Sequence, residues 1–385
     1  MGWGTIGRGQ NNGVRPDSNE RMMIMSTQFA GGDSSLAMAS PTKVAPLGGR
    51  VESASATFDQ TTRTRTVTLI GAPTDTGAAD RGSSMGPEAL RVAGLREALV
   101  GRGLQVIDRG NLNGPGNPWQ EPVDGYRHLA EVTEWNQLVH DAMYGALKSD
   151  QLPILLGGDH CLGIGSISGV ARYCRERGKK LRVFWLDAHA DFNTRELSPS
   201  GNIHGMPVAC LCGFGPSQLT GMSGHKPAIS PSWIRQIGIR SVDPPEKRFV
   251  HEQGLEVFDM RYIDEHGMRQ TMEQALAGLD DDTHLHVSFD VDFLDPDIAP
   301  GVGTTVPGGP SYREAQLCME MIADTGRLGS LDVMELNPAL DVRNRTAELA
   351  VDLIESLFGK STLMRQHTTP KRSADLVSIR SRASG

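Results

Sequence analysis

No apolar run in this chain approaches the ~20 residues that a membrane-spanning helix needs. The start of the sequence also lacks the charged head and apolar block of a secretory signal. Cysteine is scarce: there are five in 385 residues, an odd number with no second pair beside Cys210 and Cys212. That usage excludes a disulfide scaffold and reads as reduced, packed thiols in a reducing compartment, so a cytoplasmic location is expected. A basic surplus is missing too. The 38 Lys and Arg face 46 Asp and Glu, for a net charge of −8, which argues against general binding to nucleic acid.

What is present is ordinary for a soluble protein with a large core, since 38% of the residues are hydrophobic. Residues 1–60 are rich in Gly, Ser, Asn and Thr around one short apolar patch at Met22 to Met25. They offer too little apolar surface to offset ordering and are expected to be disordered. Residues 361–385, with scattered Arg and Lys, are expected to be a second disordered tail. Between them, 61–360 alternate apolar strands with helical stretches. Strands are expected at 67–70, 104–107, 153–156, 181–186, 236–240, 255–258, 285–289 and 331–334, and helices from Pro87 through Leu99 and at 126–148, 164–177, 268–279, 312–324 and 346–358. That alternation predicts one α/β domain, a three-layer α/β/α sandwich around a mostly parallel sheet. A glycine-rich loop at 75–86 is too long for a simple connection and is expected to be functional.

The chain is organised around Asp187-Ala188-His189-Ala190-Asp191, which follows the apolar run 183–186. If that strand continues, Asp187, His189 and Asp191 alternate onto one face of the pleat. Two carboxylates and an imidazole at the end of a buried strand repel and desolvate one another unless a cation holds them. Three further strands end in groups able to bind cations: Asp159-His160, Asp290-Val291-Asp292 and Glu335. In parallel α/β sheets chemistry collects at this carboxyl edge. His160, Asp187, His189, Asp191, Asp290 and Asp292 are six hard donors, too many for one tetrahedral zinc. They suit two divalent ions with bridging carboxylates, with manganese first among the candidates. His284 and His286 share strand parity with Asp290 but lie further back, and are read as structural. Asp159 is read as a brace for His160 or for the turn before it.

At this point the chain resembles the arginase branch of the ureohydrolase (arginase–agmatinase) family. The shared motifs are Gly157-Gly158-Asp159-His160, Asp187-Ala188-His189-Ala190-Asp191, Ser288-Phe289-Asp290-Val291-Asp292 and Glu335-Leu336-Asn337-Pro338. The resemblance implies an arginase-like fold, two Mn2+ per subunit and a homotrimer or homohexamer. His160, Asp187, Asp191 and Asp290 would hold one ion, and Asp187, His189, Asp290 and Asp292 the other. Asn193 and Ser200 match positions that contact an α-carboxylate, and Asp243 with Glu246 match those that recognise an α-ammonium. The implied reaction is hydrolysis of L-arginine to L-ornithine and urea, with agmatine or guanidinobutyrate as the alternative substrates. In that reaction Asp191 would aim the attacking oxygen, Glu335 would pair with the guanidinium, and His204 would carry protons to and from solvent. Thr304 would support Glu335 or the substrate.

Overall fold

Eight strands form one sheet in a computed structural model that describes residues 65–363. The disorder expected for 1–60 lies outside the described residues, as does that expected for 361–385 apart from 361–363. The strands are β1 (Val67–Ala72), β2 (Val106–Asn111), β3 (Leu152–Gly157), β4 (Lys180–Leu186), β5 (Ile234–Ile239), β6 (Glu256–Asp259), β7 (Thr283–Asp290) and β8 (Leu328–Met334). Their order is β2-β1-β3-β8-β7-β4-β5-β6, and all seven pairings are parallel. The helices are α1 (Gly86–Val92), α2 (Leu95–Gly101), α3 (Leu129–Lys148), α4 (Gly163–Glu176), α5 (Pro207–Leu211), α6 (Ser217–Thr220), α7 (Pro244–Gln253), α8 (Met260–Ala275), α9 (Tyr312–Asp324) and α10 (Arg345–Leu357).

Alternation along the strands sends side chains into two separate cores. On β4, Phe184 and Leu186 join the core beneath α1, α2, α8, α9 and α10. Val183 and Trp185 join the core beneath α3, α4 and α5. The sheet is therefore covered on both faces, as the expected three layers require.

Several elements differ from their expected bounds. The helix expected from Pro87 through Leu99 is two helices, because Gly94 has a φ of +83° and turns the chain between α1 and α2. β2 runs on to Asn111 because it is an edge strand, so Asp108, Arg109 and Asn111 reach solvent rather than a core. α8 begins at Met260, before the expected 268, and bends at Gly267. α7 was not expected at all.

One difference concerns the site itself. β4 stops at Leu186 and β7 at Asp290, so neither Asp187-His189-Asp191 nor Asp290-Asp292 converges through the pleat. A side-chain turn does the work instead. Asp187 Oδ1 accepts from His189 N at 2.6 Å and Asp290 Oδ1 from Asp292 N at 2.7 Å. Asp159 Oδ1 likewise accepts from Cys161 N at 2.8 Å. At the end of three strands an aspartate thus bonds the backbone two residues on, which curls the chain back over the sheet edge.

Candidate metal centre

β3, β8, β7 and β4 are consecutive in the sheet, and their carboxyl ends carry the candidate residues. All of these residues except Asp187 line a single cavity of about 220 Å³, and Asp187 lies fully buried against it. His160 Nδ1 stands 2.9 Å from Asp290 Oδ2, 3.1 Å from Asp187 Oδ2 and 3.5 Å from Asp191 Oδ2. His189 Nδ1 stands 3.0 Å from Asp292 Oδ2 and 3.5 Å from Asp187 Oδ1. Two donor groups result, His160 with Asp187 and Asp290, and His189 with Asp187 and Asp292. They share Asp187.

The electrostatics show why such a set fits cations. Burial opposes charge on His160, yet Asp187 and Asp191 outweigh it and lift the imidazole to about 9. Burial opposes charge on His189 too, but Asp292 and Asp187 raise it to about 12. Asp191 and Asp290 are pushed well above the usual carboxylate range, by burial first and by their acidic neighbours next. Burial also disfavours charge on Asp187, but both imidazoles hold it below its ordinary value. Protein groups alone leave carboxylates here that cannot all ionise. Two divalent ions would supply the missing positive charge through oxygen and imidazole donors.

Residues with no direct part in a ligand count hold this set in place. Trp185 stacks on His160, with ring centroids 4.0 Å apart, and its Nε1 donates to Asp187 Oδ2 at 2.9 Å. Ser288 Oγ lies 2.9 Å from His160 Nε2 and fixes the ring so that Nδ1 faces the carboxylates. Arg240 forms no ion pair among the described residues. It donates to the carbonyls of Gly238, Asp292, Phe293, Leu294 and Val306, pinning the turn that carries Asp292. The sequence reading missed all three. Ser288 alone carried a signal, its parity with Asp290 on β7. His284 and His286 lie behind this set, bonded to Ser330 and Asp332 within the sheet layer.

Glu335 and Asp191 have φ of +62° and +49°, a left-handed conformation rare for residues with side chains. Glu335 Oε1 accepts from His160 N at 2.7 Å and lies 3.7 Å from His204 Nδ1. His204 is held in turn by its own backbone N–H, which donates to Gly77 O at 3.2 Å in the glycine-rich loop. Burial lowers the His204 pKa, but Glu335 overrides it and the net shift is upward. Near these two groups Asp159 Oδ2 is buried without a hydrogen bond among the described residues. Burial, then the Glu335 charge, raise its carboxyl to about 6.

The outer wall differs in detail from the expected roles. Thr304 Oγ1 donates to Asp292 Oδ2 at 3.1 Å, so its support goes to Asp292 rather than Glu335. Glu246 caps α7: its Oε2 accepts from Asp243 N at 3.3 Å and its Oε1 from Phe192 N at 2.8 Å. It thereby ties the start of α7 to the residue after Asp191. Asn193 Oδ1 is buried at the cavity wall with no hydrogen-bond partner among the described residues. Ser200, which also lines the cavity, accepts through its Oγ from Asn202 N at 3.2 Å.

The family model described as the arginase family matches residues 65–359. An arginase from Brucella melitensis is 44% identical over 306 residues, which is 77% of this chain and 97% of that protein. The arginase from Bacillus caldovelox, in its native crystal structure at pH 5.6, superposes with a TM-score of 0.73 at 41% identity, over 78% of this chain and all of that one. A Bacillus subtilis arginase structure gives 0.72 at 41% identity, again over 78% and 100%.

Proposed function

The chain belongs to the arginase family, and from that premise we propose that it hydrolyses L-arginine to L-ornithine and urea. The observation that carries the reading is the meeting of two imidazoles and four carboxylates at the ends of β3, β7 and β4, with Glu335 at the end of β8 between them, beside a polar wall suited to an α-amino acid. In the proposal His160, Asp187, Asp191 and Asp290 hold one manganese ion, and Asp187, His189, Asp290 and Asp292 the other. Bound there, the ions would lower the pKa of a water so that hydroxide is available near neutral pH.

The remaining chemistry falls to the chain's own side chains. Glu335, already oriented by the His160 N–H, receives the guanidinium and sets its approach. Asp191 accepts a hydrogen bond from the attacking oxygen and aims it at the guanidinium carbon. The bond from that carbon to the chain nitrogen then breaks. The chain nitrogen takes the proton of the attacking hydroxyl by way of Asp191 and leaves as the ornithine amine, while the carbon departs as urea with that oxygen as its carbonyl. His204, on the cavity wall beside Glu335, returns the proton from solvent. At the other end of the substrate, Asn193 and Ser200 receive the carboxylate, and Asp243 with Glu246 the ammonium. Groups of this kind reject a substrate lacking their partners more sharply than an apolar wall does.

The test is urea release from L-arginine, agmatine and 4-guanidinobutyrate by enzyme reconstituted with manganese, together with metal analysis of the protein. A clear preference for L-arginine at two metals per chain is expected. Preference for a decarboxylated substrate would replace the arginine reading with an agmatinase-type one. A homotrimer or homohexamer is part of the proposal and is measured by sedimentation. So is a cytoplasmic location, with all five thiols reduced and buried.

A further inference from the structure

We propose that Arg127 is a positioning residue that makes the enzyme selective for substrates bearing a carboxylate. The inference rests on the arginine reading above. The rim proposed to receive that carboxylate, Ser198 to Asn202, has no charged side chain of its own. Arg127 stands directly behind it. Its Nε donates to Asn202 Oδ1 at 2.6 Å, its backbone N–H donates to Gly201 O at 2.8 Å, and its Nη1 donates to Gln120 O at 2.8 Å. Asn202 lines the cavity and its N–H donates to Ser200 Oγ, so the grip on Asn202 passes to Ser200.

The segment carrying Arg127 is built to stay in place. Val123 and Tyr126 exchange backbone hydrogen bonds of 2.9 and 3.0 Å across Asp124 and Gly125, whose φ values are +51° and +76°. That is the tight turn which Asp-Gly favours. The turn packs so closely on the rim that a Cβ on Gly201 would lie 3.0 Å from both Gly125 O and Pro122 Cβ. Arg127 is 13% exposed, and the acid paired with it among the described residues, Glu121, is 3.8 Å away and 94% exposed. A contact that exposed is heavily screened and compensates little of the guanidinium charge. The positive charge is therefore felt at the rim, where an anionic group is favoured over none.

The experiment compares wild type with Arg127→Gln, Arg127→Lys and Asn202→Ala, assayed with L-arginine and agmatine, with metal content and thermal midpoint recorded. For agmatine, kcat/KM is used, or its competitive Ki where turnover is slow. Arg127→Gln is expected to raise KM for L-arginine about tenfold, the effect of losing one charge-assisted hydrogen bond. Its kcat should change by less than about threefold, and agmatine by less than about twofold, because neither depends on the carboxylate contact. Arg127→Lys, which keeps the charge and one donor, should recover most of the KM. Asn202→Ala removes the same bridge from the other end and should reproduce the shift, which decides the matter if Arg127→Gln does not fold. A wild type that prefers L-arginine, with variants that weaken both compounds equally or neither, overturns this proposal alone. A wild type that prefers agmatine overturns the arginine reading and this proposal together.

Discussion

Asp191 and Glu335 place their carboxylates in the cavity from backbone conformations that few side-chain-bearing residues adopt, which points to a function that repays the strain. Glu335 is the sharper test, because its Oε1 accepts a backbone hydrogen bond that glutamine can also accept. Glu335→Gln should therefore keep the fold and both metals while kcat/KM falls about 10³-fold, the scale of removing one charged contact made in the transition state. Urea assays and metal analysis on the same sample decide it, and metal loss alongside activity loss would move Glu335 into the ligand set. At this scale the site was legible in part. The imidazoles and carboxylates stand out because charge at the end of an apolar strand is costly without a partner. Trp185 and Arg240 do not, since an apolar tryptophan or a lone arginine looks the same in sequence whether it orients a ligand or not.

Among elements, the strand–helix alternation was readable because the buried strands are short apolar runs. The ends were not, since the turns made by Asp159, Asp187 and Asp290 leave no hydrophobic period to follow. α7 shows the opposite case. Asp243-Pro244-Pro245-Glu246 has the acid, proline and glutamate of a helix start, but Asp243 and Glu246 entered the reading only as the ammonium-binding acids that the family resemblance implies. β5 carries a further constraint. Gly238 has a φ of +93°, and a Cβ there would lie 2.5 Å from the Phe293 ring and 3.2 Å from Asp187 O. Gly238→Ala should cost about 3 kcal/mol, combining backbone strain with overpacking. Urea denaturation measures it, and a loss below about 1 kcal/mol would mean that the strand shifts freely.

The edge strand β2 is fastened to α1 by Arg91, whose Nε donates to Asp108 Oδ2 at 2.8 Å and whose Nη2 donates to Asp108 Oδ1 at 3.0 Å. The Arg91 guanidinium holds the Asp108 carboxyl below its usual range. A depressed acid contributes stability above its unfolded pKa and loses it as pH falls through the folded one. Arg91→Ala should thus cost about 1 kcal/mol more at neutral pH than once Asp108 is protonated in both states, given the discount for a surface pair; its bond to Asn111 Oδ1 does not titrate. Denaturation curves for both proteins at pH 7 and below the folded pKa check this, and a penalty unchanged in acid would assign the effect to lost packing.

Taken as a whole, the molecule gathers its densest negative charge where its four middle strands end. Chelation should therefore destabilise it. A hundredfold excess of free metal over its Kd stabilises by about 2.7 kcal/mol for one site. Scanning calorimetry before and after EDTA treatment should show a lower midpoint that added manganese restores, and an unmoved midpoint would count against cations bound within the fold. Among the described residues no helix is long and apolar enough to cross a membrane.

The order of the sheet has a consequence for how such a chain comes into being. β3 and β4 are neighbours in sequence, but β8 and β7, the last two to be synthesised, lie between them. A nascent chain that has grown only through β4 therefore holds His160 and Asp187 at two open sheet edges, without the Asp290 and Asp292 that β7 brings between them. A complete ligand set would in that sense mark only those translation products in which β7 has docked beside β4.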